Sequence, residues 1–582
     1  MSEPRSSELT VRAVAAGILV GCLIGASNVC VGLKIGLAFG ATLTTAVLAF
    51  ALVKAVGQTF TPKENLISST AGSAAAAMAS AAGLISFIPA LEMLGTPLSY
   101  LELVLWAAAT AGLGVFFAVP LRRSMVVAGQ LRYPTGTATA ETISAMFASS
   151  DRAVLKARVL LYSALAAGAV ALLFSVKPLP FGRFLNFGPD DLGLAVSILG
   201  VSVAALKLGI SFSPMILGAG VLVGPRVGWS LLLGSVAAWA VCAPLLLHHG
   251  VVVPEQAGKE YQAAFSWLLW PGVSLMVFAG LTSLLMRYKS ILRTFSTIAR
   301  GSRSGTAAPD PFPLRLWLIG LLTAAGGVVV LCWLLFGIAP WMAVLAIVFS
   351  FIFCAIAVHA VGETDMNPSG PMAKITQVIY GFMDPGRVST NVMTAGITAA
   401  GASQAADLMS DLKAGHLLGA SVRRQVFAQL VGIGCGVFVV VGVYKALAAA
   451  YPIPGEDFTA PSVQSWYAVA RVLADGLATL PQGAIGAAAA AGALGILLTL
   501  LGRIKRITPW LPSPVALGIA FLVPAYYAWG IFLGALITWI VGKRRPAAVE
   551  KHATSLASGL IAGEGIMMVL VAVLLILGVG WV

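Results

Sequence analysis

The densest group of chemically capable residues lies in HAVGETDMNPSGPMAKITQVIYG, residues 359–381, directly after a very apolar run. His359, Glu363, Thr364, Asp365, Asn367, Ser369 and Lys374 are gathered there around Pro368, Gly370 and Pro371. The prolines interrupt regular helical hydrogen bonding, and freed carbonyls and half-helix ends make such breaks good sites for ions or small ligands. Glu363 or Asp365 can take up and release a proton where burial disfavours its ionised form. His359 has a suitable unperturbed titration range for the same task. The plain alternative is a structured hairpin whose charges pair with Lys374.

Further constellations follow the same pattern of polar groups in apolar, glycine-rich surroundings. In 391–425, Asp407 and Asp411 are four apart, so a helix places both on one face, with Gln404 one turn before and Lys413 and His416 after. In LRYPTGTATAETISAMF, residues 131–147, Tyr133, Thr137, Thr139 and Glu141 can each hydrogen-bond a ligand from a short broken segment. In 21–36, Asn28 and Lys34 sit near the helix end within a ladder of Gly21, Gly25, Gly32 and Gly36; the glycines permit tight helix packing, and the Lys34 ammonium either snorkels or attracts a carboxylate. Glu564 stands between Gly563 and Gly565 in an otherwise apolar stretch, costly unless paired or used. Substrate-binding candidates are therefore Asn28, Lys34, Tyr133, Thr137, Glu141, Glu363, Asn367, Ser369, Lys374, Gln404 and Asp407. Proton-coupling candidates are Glu363, Asp365, His359, Asp411 and Glu564.

The elements that must position these groups are membrane helices. Of 582 residues, 59% are hydrophobic and 10% charged, against about 25% charged in soluble domains, and the mean hydropathy is +0.94. This composition excludes a soluble domain or a disordered chain and indicates an all-α polytopic membrane protein. Apolar runs such as 11–33, 35–56, 66–88, 188–208 and 340–360, with shorter Pro- and Gly-bearing pieces such as 133–149, 368–383 and 391–410, predict about 14 to 16 transmembrane segments with broken or re-entrant helices. The formal charge of +14 fits Lys and Arg collected in cytoplasmic loops rather than nucleic-acid binding. The basic stretch 287–314 is read as a cytoplasmic linker between a first membrane half, 1–286, and a second, 315–582. Residues 211–224 (SFSPMILGAGVLVG) echo residues 511–524 (LPSPVALGIAFLVP), and Arg122-Arg123 recurs as Arg423-Arg424, so the chain reads as two related halves. The six cysteines are scattered and form no CxxC pair, so neither a disulfide framework nor a thiolate metal site is indicated.

No nucleotide loop, dinucleotide fingerprint or HExxH motif is present, and no cofactor is expected. A secondary carrier with alternating access is the leading reading. One alternative is an intramembrane metal-dependent transferase using Asp407 and Asp411 to hold Mg²⁺-diphosphate, which normally wants more acidic groups beside basic phosphate partners. The other is a channel.

Taken in order, NVCVGLKIG (28–36), NLISSTAG (65–72), LRYPTGTATAE (131–141), GETDMNPSGPMAKITQVIYG (362–381), NVMTAG with GASQAADLMSDLKAGHLLGA downstream, and SGLIAGE (558–564) resemble the oligopeptide transporter (OPT) superfamily. The bacterial members and the plant yellow-stripe-like metal-chelate carriers are the nearest comparison. The resemblance implies a bacterial inner-membrane carrier of small peptides or peptide-like metal chelates, a proton symporter with about 16 segments, and allows a homodimer. It maps the family's motif regions onto Asn28, Gly32, Leu33 and Lys34, onto Gly362, Glu363, Asn367, Pro368, Ser369 and Gly370, and onto Asp407, Leu408, Met409, Asp411 and Lys413.

Overall fold

In a computed structural model, the structure describes residues 8–36, 38–148, 150–175, 186–187, 196–254, 259–286, 312–364, 367–455, 457–476, 480–504, 506–508 and 510–577. The first helices are α1 (Val11–Ile35), α2 (Thr42–Ala55), α3 (Pro62–Ala81), α4 (Phe87–Met93), α5 (Tyr100–Arg122), α6 (Pro134–Ala148) and α7 (Ser150–Ser175). Next come α8 (Pro214–Ser235), α9 (Ala243–His248), α10 (Glu260–Leu285), α11 (Leu314–Phe336), α12 (Pro340–Thr364), α13 (Ser369–Met383) and α14 (Val388–Leu418). The last are α15 (Val422–Ala450), α16 (Pro461–Asp475), α17 (Ala484–Leu501), α18 (Pro514–Leu522), α19 (Ala525–Arg544) and α20 (Pro546–Ile576). Among the described residues the chain is all-α apart from two antiparallel pairings of two-residue strands.

Among the described residues, ten helical stretches are long and apolar enough to cross a membrane by length and composition, from Val11–Ile35 to His552–Ile576. Other helices are long but more polar: α3 has 20 residues and α14 has 31, roughly 46 Å of helix. The expected spans are corrected in two places. Of the run 188–208, residues 188–195 lie outside the described residues, and 197–198 and 201–202 are short strands, with Gly200 turning the chain at φ +82° among β-branched Val196, Ile198, Val201 and Val203. The run 35–56 does not start as helix: Gly36 ends α1 at φ +74°, and α2 begins at Thr42.

The residues group into two compact units. One comprises 1–29, 38–157 and 284–445; the other comprises 30–37, 158–283 and 446–582. Most of the basic stretch 287–314 lies outside the described residues.

In the first unit α14 is the central element, packed by α3, α5, α6, α12 and α13. It is buried on nearly every face although it carries Thr394, Thr398, Gln404 and Asp411. Protein neighbours rather than lipid surround it, which is why it can afford that polarity. Small residues set the spacing of α1 and α3: a side chain at Gly17, Gly21 or Gly25 would run into the backbone of Ser68, Gly72 or Ala75–Ala76 respectively. The contacts advance together by four, so the two helices run parallel along a small-residue seam. Thr61 and Glu64 form a reciprocal capping box at the start of α3. The Glu64 carboxylate also receives Arg12 at 2.8 and 3.0 Å and the Thr10 hydroxyl at 2.8 Å. Burial alone would raise the Glu64 carboxyl; the Thr61 amide, Arg12 and Thr10 outweigh it and hold it below its ordinary value. Glu92 is likewise engaged, by the Tyr444 hydroxyl at 2.6 Å and Lys445 at 2.8 Å.

In the second unit the sequence echo becomes a structural repeat. Ser213 caps α8 and Ser513 caps α18, each followed by Pro at the first helical position. Both copies then break at the same step: α8 at Gly224 (φ +78°, ψ 173°) before Pro225, and the α18–α19 path at Val523–Pro524. The correspondence continues past the breaks through Trp229/Trp529, Gly234/Gly534 and Trp239/Trp539. The contacts are exchanged as a two-fold relation requires: Gly234 abuts the carbonyl of Leu517, and Gly534 abuts that of Leu217. The tryptophan contacts are not exchanged in the same way: the Trp239 indole donates to the carbonyls of Ala520 and Val523 at 3.1 and 2.9 Å, whereas its counterpart Trp539 is exposed with the Lys543 ammonium 3.8 Å from its ring centroid. The two halves are thus related, with broken helices as their shared feature.

Candidate functional site

The first unit encloses a cavity of about 420 Å³. Its walls follow from helical periodicity. Ser403, Ala406, Asp407 and Ser410 present one face of α14, and Ser73, Ala77 and Ser80 one face of α3. The 38–42 segment, Thr135 at the start of α6, and Asn367 and Ser369 at the start of α13 close the remaining sides. Asn28 both lines the cavity and shapes it: its amide donates to the Phe39 carbonyl at 3.0 Å and accepts from the Phe39 N–H at 3.3 Å, fixing the loop after α1. Asn367 accepts from the Ser369 N–H at 3.1 Å, a local turn that starts α13.

The two aspartates of α14 share a face but not a role in the geometry. Asp407 is half-buried in the cavity wall and receives no hydrogen bond or ion pair from the described residues. Asp411 is fully buried, and its carboxylate receives the Ser73 hydroxyl at 2.7 Å. The Gln425 amide donates to the Asp411 carbonyl at 2.8 Å. Ser73 therefore connects the cavity wall to the buried carboxylate behind it. Thr135, Ser403 and Ser410 were not among the sequence candidates; single hydroxyls in Ala-rich helices carry little signal until the helix faces are known.

Other candidates are placed as follows. Tyr133 is fully buried at φ +45°; its N–H donates to the Gly362 carbonyl at 3.0 Å and its hydroxyl to the Val358 carbonyl at 3.1 Å. Gly362 leaves the room for this, since a Cβ there would press on Leu131 and the Tyr133 ring. The Thr137 hydroxyl donates to the Arg132 carbonyl at 2.6 Å, and Glu141 is exposed. His359 is buried. Lys374 is buried too, with its ammonium donating to the Gln377 side chain at 3.1 Å. Gln404 is buried against Gly114 of α5, and its amide finds no partner among the described residues. The Glu363 side chain and all of Asp365 lie outside the described residues.

In the second unit, Lys34 and Glu564 are brought together. The ammonium lies 3.2 Å from the carboxylate, both groups being nearly inaccessible. The Ser213 hydroxyl is 2.7 Å from both carboxylate oxygens, and the Met215 N–H donates at 2.9 Å. Glu564 thereby occupies the N-terminus of α8, where exposed amides and the helix dipole favour an anion. Lys34 also sits 5.9 Å from the Tyr527 ring centroid, and its carbonyl accepts the Thr459 hydroxyl at 2.8 Å. The Glu564 carboxylate thus receives Lys34, the Ser213 hydroxyl and the Met215 N–H together, which helps offset the cost of burying its charge.

Among the described residues no group of three or more His, Cys, Asp or Glu side chains is assembled as a metal site. The residues that line the first unit's cavity offer hydroxyls, amides and one carboxylate: groups that can bind and orient a polar solute.

Proteins of similar sequence span nearly the whole chain. The Saccharomyces cerevisiae protein YGL114W, named as an oligopeptide transporter, is 26% identical, covering 98% of this chain and 96% of its own. Arabidopsis thaliana YSL6, named as a metal-nicotianamine transporter, is 24% identical over 98% of this chain and 92% of its own. Oryza sativa YSL14, of the same naming, is 25% identical over 94% and 80%. The family model described as OPT oligopeptide transporter protein matches residues 8–575, and the chain belongs to that family.

Proposed function

We propose that this protein is a secondary active transporter of small oligopeptides or peptide-like metal chelates, coupled to protons, in a bacterial inner membrane with the 287–314 loop on the cytoplasmic side. The observation that carries the reading is the 420 Å³ polar cavity of the first unit, set among helices otherwise suited to a membrane. Its volume falls in the usual range for small-molecule sites, roughly 300–1,000 Å³. Family membership and the names of the relatives agree with it.

In this reading Asp407, Asn367, Ser369 and Asn28 contact the solute. Asp411 carries a proton behind the wall, reached through the Ser73 hydroxyl. His359, Glu363 and Asp365 remain proposed members of the same proton route, and Glu564 with Lys34 forms a charge pair whose opening accompanies a change of state. Uptake of labelled di- and tripeptides into proteoliposomes under an imposed pH gradient tests the proposal. Gradient-driven accumulation is expected; uptake indifferent to collapse of the gradient would remove proton coupling, and no uptake of peptide or chelate would remove the carrier.

A further inference from the structure

We infer that the first unit's cavity takes its cargo by a free ammonium group, received by Asp407, and binds poorly any ligand whose amines are blocked or already committed to a metal ion. The inference rests on the transport reading and adds the chemical class of the cargo.

Three observations lead to it. First, Asp407 is the charged member of the lining among the described residues; the rest are hydroxyls, amides and apolar groups. Second, its carboxylate faces the cavity half-buried and without a partner among those residues, whereas Asp411 one turn along is engaged by Ser73. A carboxylate withdrawn from bulk water needs a compensating donor, and an ammonium supplies three N–H donors together with the opposite charge. Third, among the described residues the lining holds no fixed cation for a carboxylate. Lys374 is not part of it and directs its ammonium to Gln377, and Lys34 is held by Glu564 in the other unit. Ser403, Ser410 and Asn367 can still satisfy the amide groups of a short peptide. A metal chelate built from amines and carboxylates spends its nitrogen lone pairs on the metal and keeps its residual charge on oxygen, the wrong sign for this wall.

The test compares trialanine, N-acetyl-trialanine, trialanine amide and the nickel–nicotianamine complex on the full-length protein. Both thermal stabilisation of the purified protein and proteoliposome uptake are read. Trialanine and its amide should bind within a few-fold of one another, while N-acetylation should raise the half-saturating concentration roughly 10- to 100-fold, the loss of one charge-assisted contact. Asp407→Asn should erase the preference for the free amine and Asp407→Glu should keep it. The ligand series on the wild type stands alone if a variant folds poorly. Equal binding of acetylated and free peptide would overturn the inference, as would an amide that loses as much as the acetyl form. Uptake of the nickel complex without uptake of the peptides would overturn it while leaving transport intact. Failure of all four ligands in both assays would instead bring down the transport reading itself.

Discussion

Lys34 and Glu564 stand 530 positions apart, and nothing in either local sequence pairs them. Each reads as a lone charge in an apolar run, and the pairing emerges only when α20 and the end of α1 meet the N-terminus of α8. Removing one partner leaves the other buried and uncompensated, so Lys34→Met or Glu564→Gln is expected to cost about 3–5 kcal/mol. The Lys34→Met/Glu564→Gln double variant should cost less than the sum of the singles; additive losses in thermal unfolding would mean the charges are not coupled. Glu64 offers a second residue-scale expectation. Its carboxyl is held below its ordinary value, so its contribution is present above the unfolded-state titration and lost as pH falls through the lowered folded-state value. Glu64→Gln should therefore lower stability at neutral pH and flatten its fall toward acid, as followed by melting against pH. Tyr133 shows the opposite limit of sequence reading: a phenol beside Pro134 has the look of a ligand donor, yet its hydroxyl and N–H are taken by the carbonyls of Val358 and Gly362.

At the scale of elements, local chemistry was the most legible part. Ser-Pro at 213–214 and 513–514 marks two helix starts because cap and first-turn proline act within four residues, and the structure realises both. Helix α14 was harder. Its Thr, Gln and Asp residues make 391–410 read as a short, marginal piece, because span reading assumes a lipid neighbour, whereas here the neighbours are other helices. The described end of the 188–208 run, from Val196, misled for a related reason: β-branched residues around Gly200 are apolar enough for a span but turn back on themselves as short strands. The exchanged contacts of the repeat make a prediction. Gly234→Val and Gly534→Val each drive a side chain into the facing carbonyl, of Leu517 and Leu217 respectively, so both should destabilise, by about 1–3 kcal/mol or more. A large loss at one position and none at the other, measured by thermal unfolding, would argue against equivalent packing in the two copies.

At the scale of the whole molecule, composition alone settled the membrane class, since so few charges cannot cover a soluble surface of this size. The cavity was only half legible. Asp407, Asn367, Ser369 and Asn28 stood out as polar groups near breaks, but Ser73, Thr135, Ser403 and Ser410 become wall residues only through the packing of α3, α6 and α14. The central claim is that this cavity is where a carried solute binds. Ser403→Trp fills it from α14 while leaving both aspartates in the chain, and peptide uptake by that variant in proteoliposomes, beside the wild type at matched melting temperature, is the most direct measurement. Uptake reduced roughly tenfold or more is predicted, from the loss of even one tenfold step in binding. Uptake at the wild-type rate, with the protein folded and the cavity filled, would contradict it.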